Sequence, residues 1–311
     1  MNHVTWNDRR LSRLILGTVQ FGLPYGVANR TGQPSYRESL AIVKAALDGG
    51  VDCFDTAAGY GTSEVVLGRI FQELGVTDGV TVVTKVQALK TEELENSELA
   101  LRAIEESVAQ SRRRLRIDCL PVVLFHREAD AVHMDLLTAL RDRGWLQHCG
   151  ISCDSLPGPA TEFVTEQNVS ALQLPASLLD PRHLRSGVLD AAGQRNVAIF
   201  IRSVYLQGLL VMPEDDIPPA LRDLIPVRRR LDGIAAGAGI STAELSLRSV
   251  LSSGGVTGVL VGVETVSQMK DNLAMFDRGP LEEGILTAIT TAVPELPEAL
   301  ITPRLWPVQK A

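Results

Sequence analysis

Leu14-Ile15-Leu16-Gly17-Thr18-Val19-Gln20-Phe21-Gly22 is the stretch that decides the fold. A short apolar run ends at Gly17 and passes into a loop, so it reads as a strand with its C-terminal turn. An open, doubly wound dinucleotide-binding sheet would carry a G-x-G-x-x-G turn here and start a helix within it. Val19 stands where the middle glycine should be, and no helical pattern begins before residue 36. The stretch therefore points away from the open sheet and towards a closed barrel.

Working outward, β-rich apolar runs recur at 14–16, 51–54, 80–84, 120–125, 148–152, 170–174, 197–201 and 257–261. Between them, 36–48, 63–73, 97–114, 131–143, 158–166, 182–194 and 267–276 repeat apolar residues at helical spacing, with a longer helical stretch at 218–253. Strict alternation, with strands apolar on both faces, means a parallel sheet covered by helices. Eight such units predict an α/β fold of the (β/α)8 TIM-barrel type, a single domain over residues 1–311. Residues 4–16, turning at Asn7-Asp8, are expected to form a hairpin at the barrel floor. Residues 281–292 predict an extra C-terminal helix, followed by a proline-rich tail.

A hydrophobic fraction of 45%, with 22% charged residues, excludes disorder over most of the chain. A net charge of −7 argues against a nucleic-acid partner, and no apolar run is long enough to cross a membrane. The runs Arg112-Arg113-Arg114 and Arg228-Arg229-Arg230 read as solvated helix faces. Cys53 and Cys119 read as small buried hydrophobes. Cys149 and Cys153 lack companions at ligand spacing, so no metal site is expected. A reduced, cytoplasmic protein is the expectation, as a monomer or small homo-oligomer.

In an α/β barrel, chemistry collects at strand C-terminal ends. Asp55 follows the second barrel strand, with Tyr60 in its loop; Lys85 ends the third, and His126 follows the fourth. Singly, such residues are most often caps, packing or solvated groups. Jointly, at three consecutive strand ends, they form a proton-transfer set. Tyr60 would protonate a carbonyl oxygen, Lys85 would lower the phenol's pKa, Asp55 would hold Lys85 charged, and His126 would bond the substrate oxygen.

Phe54-Asp55-Thr56-Ala57-Ala58-Gly59-Tyr60-Gly61, with Ser63-Glu64-Val65-Val66-Leu67-Gly68 after it, resembles the signature of the aldo-keto reductase superfamily. Val83-Thr84-Lys85, Leu124-Phe125-His126, Gly150-Ile151-Ser152 and the residues from Ser203 to Leu210 continue the likeness. The resemblance implies NAD(P)H-dependent reduction of an aldehyde or ketone, or oxidation of the matching alcohol, with Asp55, Tyr60, Lys85 and His126 catalytic. It implies an NADP(H) site, with NAD(H) as the alternative. Gly17, Thr18, Asp55, Ser152, Cys153, Gln173, Arg202, Ser203, Tyr205, Gln207, Gly208 and Leu210 would form one part of that site. Gly262, Glu264, Gln268, Asp271 and Asn272 would meet the adenosine end.

The sequence departs from the family pattern at three places. Cys153 stands where an Asn is common. Arg202 replaces an aromatic that stacks on nicotinamide in many members. Gly262 and Gln268 stand where many members carry a Lys and an Arg against the 2′-phosphate. Glu264 could instead accept hydrogen bonds from an unphosphorylated ribose. The loops at 21–31, after His126, at 178–185 and at 210–219 are expected to select the substrate. Tyr25, Asn29, Arg30, Arg127, Glu128 and Asp130 make that expectation a polar or sugar-like one. Two other readings stay open: a slow cofactor-binding regulatory subunit of the same fold, as some ion-channel subunits are, and a lyase using Lys85 as a Schiff base.

Overall fold

The alternation of the sequence is resolved by a computed structural model, which describes residues 1–166 and 169–307. Two short strands, β1 (His3–Trp6) and β2 (Arg9–Ser12), pair antiparallel around Asn7-Asp8. Eight more follow: β3 (Leu14–Gly17), β4 (Cys53–Asp55), β5 (Thr81–Lys85), β6 (Leu120–Phe125), β7 (Leu146–Ser152), β8 (Ala171–Pro175), β9 (Ala198–Arg202) and β10 (Gly258–Gly262). They pair in parallel, each with the next, and β10 returns to β3 to close the barrel.

Strand periodicity divides the apolar side chains between two cores. Leu14 and Leu16 face the outer helices while Ile15, between them, faces the barrel axis; Ile199, Phe200 and Ile201 repeat the pattern. The interior is filled by Ile15, Cys53, Val83, Val122, Leu124, Ala171, Ala198, Phe200 and Leu260, with Trp6 and Leu11 of the hairpin below them. Trp6 packs edge-on to Phe200 at 6.2 Å and donates its Nε1 proton to the Asn196 carbonyl at 3.1 Å. The hairpin is thus the plug of the barrel's N-terminal end, and the C-terminal end is left for function.

Several elements differ in detail from the sequence pattern. The helix expected over 182–194 stops at Arg185 and resumes at Val188, with Gly187 at φ +83° between. The long stretch 218–253 splits into a 3₁₀ segment and the helices Ile225–Gly237 and Thr242–Leu251. The extra helix near the C-terminus spans Glu283–Ala292, and residues 308–311 of the tail lie outside the described residues. Arg228 corrects the expectation of a solvated arginine face. It is buried, donating to the carbonyls of Leu209 and Met212, each at 2.8 Å, and so ties down the loop that follows β9. Cys119 is half-buried, unlike Cys53, because it stands in the bend before β6 rather than in the packed interior. Among the described residues no helix is long and apolar enough to cross a membrane.

Candidate active site

The strands all run the same way, so their last residues ring one end of the barrel. Register fixes the neighbours: Gly17 beside Asp55, Ser152 beside Gln173, and Gly262 beside Gly17. These ends open into a cavity of about 730 Å³. Its wall includes Asp55, Tyr60, His126, Ser152, Gln173 and Arg202 on one side and Gly262, Glu264, Gln268, Asp271 and Asn272 on the other.

Lys85 and Asp55 lie beneath Tyr60 and are almost fully buried. Lys85 Nζ donates to both Asp55 oxygens and to the Thr56 carbonyl, each at 2.8 Å. Gln173 Nε2 donates to Asp55 Oδ2 at 2.7 Å from the far wall of the barrel. A buried ion pair is tolerable only when its remaining donors and acceptors are satisfied, and here the ammonium spends all three protons. Lys85 Nζ sits 5.0 Å from the centre of the Tyr60 ring, and His126 meets that ring edge-on at 5.5 Å. The four side chains inferred from the sequence do converge.

Their electrostatics differ from the sequence expectation in one respect. The Tyr60 phenol is held above its ordinary pKa, first by burial and then by the Asp55 charge; Arg202, rather than Lys85, is the cation that pulls it back. Burial draws the Lys85 ammonium below its ordinary pKa, and the Asp55 carboxylate it grips opposes that and offsets its charge. His126 is pushed down to about 3 by burial, with Lys85 and Arg202 adding to the effect, so its imidazole is neutral across the working pH range. A neutral ring offers one N–H donor without competing for a proton.

Tyr60 is placed by its loop and by what lies under it. Gly22, after β3, packs so closely beneath the Tyr60 carbonyl that a Cβ there would overlap it, and would lie 2.6 Å from the Ser63 amide. Thr18, on the same segment, donates to the Asp55 carbonyl at 2.8 Å and meets Ser63 Oγ at 2.9 Å. Both ends of the Tyr60 loop are therefore fastened to the loop that leaves β3.

Beyond β9 the backbone is unusual. Ser203, Leu206 and Gln207 all have positive φ, which costs energy in non-glycine residues and marks a segment held for a purpose. Tyr205 donates to Asn272 Oδ1, and Asn272 Nδ2 donates to the Gln268 carbonyl at 2.7 Å, joining this loop to the helix Val266–Asp277. Gln207 reaches Tyr25 at 3.1 Å. Gln268 completes a capping box with Thr265, its Oε1 accepting from the Glu264 amide at 2.6 Å.

Two of the sequence-inferred cofactor residues, Cys153 and Leu210, do not line the cavity. Cys153 follows inward-facing Ser152 and so points into the outer core, leaving only its carbonyl, which accepts from Arg202 at 2.9 Å. Leu210 is buried in the C-terminal apolar cluster. Among the polar loop residues, Tyr25 and Arg127 line the cavity. Asn29 caps its own turn, Arg30 pairs with Asp216, Asp130 is buried against Arg127, and Glu128 accepts from the Asp154 amide. Gln20 and Asp154 line the wall without having been picked out from the sequence. The signal for Gln20 was its place one turn beyond Gly17.

The Aldo/keto reductase family model matches residues 13–293, a span that includes all eight barrel strands. The chain belongs to that family. It is similar to the aldo-keto reductase YhdN of Bacillus subtilis (strain 168), 26% identical over 283 residues that cover 83% of each protein. It is also similar to the pyridoxal 4-dehydrogenase of Microbacterium luteolum, 22% identical and covering 88% of this chain and 92% of that one. In fold it resembles the holo form of aldo-keto reductase AKR11C1 from Bacillus halodurans, with a TM-score of 0.77 at 20% identity over 95% of this chain and 97% of that one.

Proposed function

We propose that this aldo/keto reductase family member is a nicotinamide-dependent oxidoreductase in which Tyr60 hands a proton to a substrate carbonyl oxygen. The observation that carries the reading is the buried Asp55–Lys85 pair directly beneath Tyr60, with neutral His126 edge-on to the same ring. His126 would donate to the substrate oxygen and fix its distance from the phenol. Arg202 favours the negative charge that Tyr60 acquires as its proton leaves.

The cavity fits a dinucleotide on its own evidence. Gln173 Oε1 and Gln20 Oε1 are buried in the wall without a partner among the described residues, and each is an acceptor awaiting a donor such as a carboxamide or ribose hydroxyl. Ser152 and Gln173 would hold the nicotinamide end, and Ser203, Gln207 and Gly208 the phosphates. When bound, the reduced ring supplies the hydride. The other end is lined by Glu264, Gln268, Asp271 and Asn272, two acids and two amides with no cation among them. A 2′-phosphate would meet acidic groups there, so the wall favours NAD(H) over the NADP(H) implied by family resemblance.

The substrate side combines Tyr25, Arg127, Asp154 and Arg202, a polar wall suited to a hydroxylated or sugar-like carbonyl compound. That a relative is a pyridoxal 4-dehydrogenase supports a polar aldehyde or its alcohol. Hydroxylated aldehydes are expected to exceed benzaldehyde in kcat/KM, and the reverse ranking would sink the polar reading. The Schiff-base alternative is disfavoured because Lys85 is buried with its protons committed. In the central test, Tyr60→Phe lowers kcat by about 10²–10⁴-fold while NADH binding is retained. Wild-type turnover in that variant would remove Tyr60 from the chemistry.

A further inference from the structure

Arg202 is the last residue of β9, and its guanidinium forms part of the cavity wall. It donates to the Cys153 carbonyl at 2.9 Å and to Ser203 Oγ at 3.2 Å, both neutral acceptors. No carboxylate among the described residues lies within ion-pairing distance of it, although seventeen ion pairs occur among those residues. At the strand ends beside it, the charges of Lys85 and Asp55 offset one another, and His126 is neutral. Of the two arginines on the wall, Arg127 is paired with Asp130, so among the described residues Arg202 is the one without a contact carboxylate. Its charge acts on Tyr60, Lys85 and Tyr25, and Glu128 is the nearby acid that feels it.

We infer that Arg202 sets the redox preference of the bound cofactor, holding the reduced dinucleotide more tightly than the oxidised one. The inference rests on the nicotinamide role proposed above. The two forms share their riboses, phosphates and adenine; they differ at the ring, neutral when reduced and carrying a delocalised positive charge when oxidised. Hydride and proton must reach the two ends of one carbonyl, so the ring has to sit beside Tyr60 and within range of Arg202. A fixed guanidinium in a partly desolvated wall repels the oxidised ring and leaves the reduced ring almost untouched. The consequence lies in loading: at equal concentrations of the two forms the site fills with the reduced one and releases the oxidised one more readily, while the bound reduced ring is held as a weaker hydride donor.

A guanidinium at this place could instead grip the pyrophosphate, and the same measurement separates that role. A phosphate grip acts on both redox forms alike, whereas repulsion of the ring acts on one.

The test is equilibrium binding of NADH and of NAD⁺, with NADPH and NADP⁺ as a second pair, to the wild-type chain and to Arg202→Met, Arg202→Gln and Arg202→Lys. The wild type is expected to bind the reduced form at least about tenfold more tightly. Arg202→Met and Arg202→Gln are expected to shrink that ratio by about tenfold, mainly by tightening the oxidised form, while Arg202→Lys, which keeps the charge, retains most of it. Retained NADH affinity in the neutral variants reports that the fold is intact. An unchanged ratio, or equal weakening of both forms, overturns the inference while leaving the oxidoreductase reading in place. Failure of the wild type to bind either pair removes the dinucleotide reading itself, and this inference with it.

Discussion

At the scale of single residues, Gln268 illustrates how one side chain can set cofactor choice. It is the third residue of the helix Val266–Asp277, and its Oε1 is spent on the Glu264 and Thr265 amides. Neither it nor Gly262 supplies a cation, and a Lys at 262 would need Gln20 to move, since a Cβ there would lie 2.6 Å from Gln20 Nε2. Gln268→Arg restores a charge-assisted donor at the cavity's far end, a contact worth about 1.5–3 kcal/mol. The ratio of NADPH to NADH affinity is expected to rise roughly tenfold to a hundredfold, measured by fluorescence titration. The variant also loses half of a capping box, but that cost falls on stability and cancels in the ratio. A ratio unchanged within about twofold would mean that the 2′ position does not face Gln268.

At the scale of elements, the loop leaving β3 is the support of the Tyr60 loop. Gly22→Ala would force the two loops apart and displace Tyr60, and misplacement by about 1 Å is enough to cost on the order of 10² in rate. Steady-state kinetics should therefore show kcat falling far more than NADH affinity. Full kcat in a merely less stable protein would assign Gly22 to packing alone. This is also the scale at which the sequence was most legible. Parallel strands keep their apolar runs and place their last residues at one end, so Asp55, Lys85 and His126 could be read from strand position. Interactions that depend on barrel closure could not. The bond from Gln173 to Asp55 joins residues 118 apart and crosses the interior. Lys85 gives its protons to Asp55 and Thr56 rather than to Tyr60. Cys153 turns away from the cavity because a strand's period of two carries it outward after Ser152. Arg228 has the composition of a surface residue, and only the loop folded over it makes it an internal donor.

At the scale of the whole molecule, stability and chemistry occupy opposite ends of the barrel. The floor is sealed by the hairpin, whose Trp6 is 3% exposed, stands 4.4 Å from the His148 ring and fills the space below Phe200. Trp6→Ala removes this plug, together with the Nε1 bond to Asn196, and leaves a cavity that the surrounding strands cannot collapse into without shifting their register. Truncation of a buried aromatic of this size costs about 3–5 kcal/mol. The site at the other end is built on strand termini and loops that Trp6 does not touch. Urea unfolding is therefore expected to show a loss of that order, while NADH affinity and kcat measured well below the transition stay within about twofold of wild type. A parallel loss of affinity and turnover in folded protein would show that the two ends are coupled through the barrel interior. In that case the layer of Ile15, Val122, Ala171 and Phe200 between them would be the place to look for the connection.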